Sequence, residues 1–306
     1  MAGIINTGTF TKDLKPLVKR WFGDAYKNYD PQWAKIFAVE ESSDNSEEFA
    51  TYAGMNLAQI KAEGASISYD SMEQFYVVRA QHVVYATGFS ITREMIEDGK
   101  SLNIAKRRAV EIKKAMLDAK EYVHANILNR AFNSSYVWGD GKELCATDHP
   151  TFGADLSNEM TTPLDLSEAA LEQSMIDIQS FINNRGLKIQ TMGKQLVVPK
   201  ELQFEAARYL KTELRPGTTD NDINAMNYLG MLQTTPIVHQ YLTDTDAYFI
   251  LTDINDSVNG LKCLQRRAME MGEDNDFDTE NAKFKATERY SPVVIDCRAI
   301  YGCTGA

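Results

Sequence analysis

The sequence predicts an α+β fold built around one very long helix, and three observations carry that prediction. Residues 101–132 place Leu102, Ala105, Ala109, Ile112, Met116, Ala119, Val123, Ile127 and Ala131 three or four positions apart, which is the spacing of one helix face. Residues 66–92, SISYDSMEQFYVVRAQHVVYATGFSIT, are rich in Tyr, Val, Ile and Thr, the side chains that favour strands. From about residue 164 a helix, a strand and a helix alternate, and short strand patterns follow to the C-terminus.

The elements follow in order. TKDLKPLVKRWFGDAYKNY is an amphipathic stretch, and Trp21, Phe22 and Trp33 are expected to face a surface outside it. EESSDNSEEFATYAGMNLAQIKAEGAS is acidic, then small and polar, and has no helical period, so it reads as extended chain or loop. Together with the strand-rich stretch it suggests a two-stranded projection over about residues 45–85. A hairpin of that kind is marginal alone and needs a surface to lie on.

The long helix would span about 48 Å at about 1.5 Å per residue. Ser101 suits its N-cap, and its polar face is expected to carry Lys106, Arg107, Arg108, Lys113, Lys114 and Lys120. LDLSEAALEQSMIDIQSFINNRG reads as a second helix capped by Asp165 or Ser167 and closed by Gly186. KQLVVP is a short buried strand, KELQFEAARYLK a helix, and RPGTTDNDIN an exposed turn-rich loop. The final strands are TPIVHQYL, AYFILTD, GLKCLQR, AKFKATERY and PVVIDCRAIYG.

Composition narrows the function classes. A net charge of −11 and a pI near 5.0 argue against general nucleic-acid binding, which needs a basic face. Cys145, Cys263, Cys297 and Cys303 form no CxxC pair, which suits a reducing compartment. No apolar run reaches the length of a transmembrane helix, and the N-terminus does not read as a signal peptide. The expectation is a soluble protein with no membrane partner.

Candidate chemistry is sparse. ELCATDHPTFG brings Cys145, Asp148 and His149 within five positions, as a thiol with its base or half a metal site would. Neighbours in one loop rarely face each other in that way, and Asp148 and Pro150 also suit a turn. His82, His124, His149 and His239 lack metal-ligand spacing. DGKS has Glu94 where a phosphate loop needs glycine. EDNDFDTEN has Thr279 and Lys285 where a calcium loop needs Gly and Glu, and reads as a solvated hairpin tip. The basic stripe of the long helix reads as an ordinary solvated face. No catalytic, cofactor or metal residue is expected.

The order of parts carries more than any motif. SYDSMEQFYVVRAQHVVYATGFSITREMIEDG, then LCATDHPT after the long helix, LVVPKELQFEAARYL and ELRPGTTDNDIN follow one another along the chain. In this the sequence resembles the major capsid proteins of tailed double-stranded-DNA bacteriophages, with the Hong Kong-97 fold, over essentially its whole length. The resemblance implies an N-terminal arm at 1–44 and an extended loop at 45–85. It implies a peripheral domain at 86–133 and 256–306, with residues 101–132 as its spine helix and 273–281 as its projecting tip. An axial domain would occupy 134–255, with RPGTTDNDIN near the capsomer axis.

The implied function is self-assembly as hexamers and pentamers into an icosahedral head. That head would enclose DNA without sequence-specific binding, be assembled in the host bacterial cytoplasm, and take portal, scaffold or decoration proteins as further partners. Subunit contacts are expected at Trp21, Phe22, Trp33, Lys61, Tyr69, Phe75, Pro216, Asp220 and Asp276. Some members of the fold cross-link a loop lysine to an asparagine. Lys61, Asn275 and Asn281 lack a matching context, so no cross-link is expected. The alternatives are an encapsulin-like nanocompartment shell, with protein as its cargo, and a thiol hydrolase using Cys145 and His149.

Overall fold

The long helix and a four-stranded sheet lie against each other, and their apolar periods dictate how. The computed structural model describes residues 20, 22, 29–97, 101–214, 222–276 and 280–306. The helix runs Ser101–Asn129. The sheet has the order β1-β8-β9-β4, with β1 at Ala38–Glu41, β4 at Val83–Ile91, β8 at Leu261–Asn275 and β9 at Ala282–Val294. Along β9 side chains alternate between faces, so Ala282, Phe284, Ala286, Glu288 and Tyr290 are buried. Phe284 and Ile91 meet Ala105 and Ala109, and Ala286 meets Ile112 and Met116.

The helix seam departs from the predicted one midway. Ala119, Val123 and Ile127 are only half-buried, whereas Lys113 and Lys120, expected on the polar face, are 5% exposed and His124 is fully buried. The reason is a set of partners distant in sequence. Lys120 Nζ pairs with Glu288 across the helix–sheet interface and stands 4.7 Å over the rings of both Trp33 and Tyr290. His124 stacks on Trp33 at 4.5 Å and on Tyr290 at 5.7 Å, and its Nδ1 is 2.7 Å from Lys120 O. Glu121 accepts hydrogen bonds from Tyr29 Oη at 2.7 Å, Gln32 N at 2.8 Å and Trp33 N at 3.0 Å.

Two expectations about segment boundaries are corrected here. Residues 29–41 do not belong to a free arm, because Glu121 fixes their first turn and β1 pairs in parallel with β8. The C-terminal strands do not all complete the first sheet. β10 (Ile300–Cys303) joins a second sheet of order β10-β7-β5-β6, with β5 at Gly193–Val198, β6 at Ile237–Val238 and β7 at Tyr248–Thr252. Gly302 permits this crossing, since a Cβ there would lie 2.8 Å from both Cys145 Sγ and Phe132.

The helix Glu168–Gln179, with Ser167 as its N-cap, packs on the second sheet. It ends before Gly186, which instead holds φ of 82° in the following turn. The helix Gln203–Lys211 also forms as expected. RPGTTDNDIN lies largely outside the described residues, as does most of the N-terminal amphipathic stretch.

The buried ion pair sets an expected mutational pattern. Glu288→Ala strands the Lys120 ammonium and is expected to cost about 3–5 kcal/mol, whereas the double variant Lys120→Met with Glu288→Leu is expected to be near neutral or stabilising. Urea unfolding of both checks this. Burial also holds the imidazoles of His124 and His239 down to about 3 and about 4. The unfolded chain takes up protons below about 6.5, so stability is expected to fall as pH drops from about 6.5 towards 3 and to level off below the folded values. His124→Phe, which keeps the ring stack, is expected to flatten that dependence. An unchanged slope would contradict the assignment.

Candidate interaction surface

Cys145, Asp148 and His149 point in three directions. Cys145 is fully buried beside Gly302 and Phe132, and burial pushes its thiol far above the usual range. Asp148 turns outward to Lys142. His149 turns inward, with Nδ1 2.6 Å from Asp140 Oδ2 and Nε2 3.0 Å from Asn158 Oδ1. Asn158 in turn donates to Leu144 O and Cys297 O and accepts from Ala146 N, each at 2.9 Å. The histidine is thus a strut that ties the loop after the long helix to the C-terminal strands. A thiol held protonated in the interior is no nucleophile, and the hydrolase alternative fails on this geometry. Among the described residues no group of His, Cys, Asp and Glu could hold a metal.

The feature left without an internal purpose is the projection. β2 (Ser46–Tyr52) and β3 (Gln74–Gln81) form an antiparallel ladder of their own. That ladder is shorter than the predicted 45–85 span, because β4 leaves it to pair with β9. Between them, residues 53–73 carry no ladder, and nearly all are exposed. Met55, Leu57, Ile60, Ile67, Tyr69 and Met72 are 64–103% exposed. So many large apolar side chains in one stretch mark an interaction site rather than ordinary surface scatter.

The root of the projection is fixed. His82 lies between β3 and β4, its Nε2 2.8 Å from Ser42 Oγ, which donates to Glu47 at 2.6 Å. Phe75 packs on Phe152 at 4.9 Å and Tyr76 on Trp138 at 5.0 Å. Arg185 donates to Ser71 O and lies 3.5 Å from Asp70. Asp70 also accepts from Asn56 N at 2.8 Å, and that amide, more than Arg185, holds its carboxyl below the usual range.

The expected contact residues divide accordingly. Lys61 and Tyr69 lie on the exposed stretch, and Phe75 sits half-buried at its root. Asp276 is at the β8–β9 hairpin tip, paired with Lys283. Phe22 and Trp33 are corrected: they are 9% and 7% exposed, packed against their own chain. Phe22 lies under Lys113, whose Nζ donates to Phe22 O at 2.6 Å. Trp21, Pro216 and Asp220 lie outside the described residues. Sequence reasoning missed Met55, Leu57, Ile60, Ile67 and Met72. Their signal was large apolar residues in a stretch with neither helical nor strand period. It also missed exposed Phe204, Ile223, Tyr228 and Leu229 beside the turn-rich loop.

Comparison with known proteins places this geometry. A family model described as phage capsid protein matches residues 76–302. The procapsid protein of bacteriophage JBD30 aligns with a TM-score of 0.53 at 13% identity, over 98% of this chain and 77% of that one. A phage-related protein from Bordetella bronchiseptica gives 0.53 at 11% identity, over 94% and 96%. The capsid protein of a native GTA particle gives 0.53 at 14% identity, over 91% of each chain. At these identities the likeness concerns the fold. No curated protein matches the chain by sequence.

The thiol geometry has a direct check. Native protein at about pH 8, near the ordinary thiol pKa, is expected to leave Cys145, Cys263, Cys297 and Cys303 unmodified by a maleimide, and all four are expected to react in denaturant. Modification of native Cys145 would show an accessible thiolate.

Proposed function

Because the chain belongs to the phage capsid protein family and is a capsid shell protein, we propose that it self-assembles as hexamers and pentamers into an icosahedral head around double-stranded DNA. Its work is structural rather than enzymatic, and its place is the virion. Assembly takes place in the host bacterial cytoplasm, and portal, scaffold or decoration proteins join the same particle.

The observation that carries this reading is the apolar stretch 53–73 standing away from the body of its own subunit. Each of its large apolar side chains gains about 1.5–3 kcal/mol on burial, a gain available only on another surface. The simplest such surface is a second copy, because closed symmetry then repeats the contact around a shell. On this reading residues 1–28 form the N-terminal arm and 45–81 the extended loop. The helix–sheet unit is the peripheral domain. The unit around the second sheet is the axial domain, where Phe204, Ile223, Tyr228 and Leu229 mark the face turned to the capsomer axis. Lys61, Tyr69, Phe75 and Asp276 lie at subunit contacts, joined by Trp21, Pro216 and Asp220 on the arm and axial loop. Lys61 forms no cross-link.

The register of the projection supplies a clean test. Asn56 N donates to Asp70 across the neck of the projection, so a short Gly-Ser turn can replace residues 57–69 without disturbing the ladder or the contacts of Arg185. Full-length chain expressed alone is expected to give closed shells by electron microscopy. The shortened chain is expected to unfold at a similar temperature but to remain as small soluble species. Intact shells from the shortened chain would sink the proposal. DNA rather than a protein cargo inside particles from infected cells separates a head from an encapsulin-like compartment.

A further inference from the structure

The long helix carries a charge pattern that its own fold does not need. Lys106, Arg107, Arg108 and Lys114 are exposed; Arg107 and Lys114 lie opposite the Ala105, Ala109, Ile112 and Met116 seam that packs on the sheet, with Lys106 and Arg108 on the two flanks. Arg108 reaches Glu111 at 3.0 Å. Among the described residues Lys106, Arg107 and Lys114 make no ion pair. Many exposed cations elsewhere are answered: Lys35 by Asp30, Arg79 by Glu48, Lys142 by Asp148, Lys194 by Asp256 and Lys283 by Asp276.

We propose that this helix face is an electrostatic contact for nucleic-acid phosphates, turned to the inside of the shell. The inference rests on the shell reading above and adds to it which surface meets the genome. Arg107 and Lys114, about 10 Å apart along the axis, share the outermost line of the helix, and Lys106 and Arg108 flank it on either side. Among the described residues, the large exposed apolar neighbours along this stretch are Ile104 and Val110, at 37% and 40%. A protein partner needs a packed apolar centre, whereas a duplex backbone, with one charge per about 1.7 Å, needs only cations. Such contacts carry no sequence information. In a chain of net charge −11 they make a few points of attachment on a wall that otherwise repels DNA.

The test uses dissociated full-length subunits and a fluorescent duplex, titrated by anisotropy across about 50–200 mM salt. Wild-type subunits are expected to bind, and K106Q/R107Q/R108Q/K114Q to bind at least tenfold more weakly. The variant's salt slope is expected to be shallower by about three to four. A charge-matched control with Lys188, Lys200, Arg208 and Lys211 changed to Gln is expected to behave as wild type. In intact particles Lys106 and Lys114 are expected to resist an impermeant amine reagent and to react once particles are opened. No wild-type binding, equal binding by the helix variant, or labelling from outside would each overturn the proposal. Electron microscopy of the same samples reads shell formation separately, so a failure of assembly and a failure of this surface are told apart.

Discussion

The packed midpoint of the long helix, with the buried Lys120–Glu288 pair inside it, is the constraint on which the rest of the arrangement depends. A charged pair survives inside a protein only where it is held in good geometry and surrounded by compensating contacts. Here those contacts come from everything that meets at the helix midpoint. Trp33 and Tyr290 offer ring faces to the ammonium, and His124 stacks between them. Glu121, one position along, gathers the backbone of residues 32 and 33. This packing fixes the rotation of the helix on the sheet, and with it the point where the N-terminal chain reaches the body. That rotation turns Lys106, Arg107, Arg108 and Lys114 outward.

A second constraint works in the opposite sense. The body of the subunit packs into its own clusters, whereas the large apolar side chains of residues 53–73 do not join them. Their base is pinned by Arg185, Asp70 and His82, while their apolar side chains stand in solvent. A rigid root with an unsatisfied end directs one surface at another subunit. This division of labour is what a shell asks of its building block, since a contact held at a fixed angle repeats into a closed surface.

Much of this was legible in the sequence, and the failures have physical causes. The long helix, the strand of KQLVVP and the helix of KELQFEAARYLK follow from local periods and appear within a few residues of the predicted limits, whereas the second helix ends at Gln179, short of Gly186, and TPIVHQYL forms only Ile237–Val238. Lys113 and Lys120 were misplaced because helical periodicity assigns charged residues to solvent, and only a distant Glu288 or Phe22 carbonyl makes burial tolerable. Trp33 was read as an outward anchor because its partners, His124 and Lys120, lie far along the chain. The crossing of β10 into the second sheet depends on Gly302 fitting against Phe132 and Cys145, a steric fact with no local signature. The cluster at Cys145, Asp148 and His149 shows the converse, for proximity in sequence gave no proximity of function.

The central claim is that residues 53–73 are completed only by another copy of the chain, and hydrogen exchange tests it most directly. Exchange would be followed by mass spectrometry in dissociated subunits and in assembled particles. The account expects β8 and β9 to be protected in both states, and 53–73 to exchange freely in the subunit but slowly in the particle. Equal, fast exchange of 53–73 in both would contradict it, and would mean that the shell is held together elsewhere.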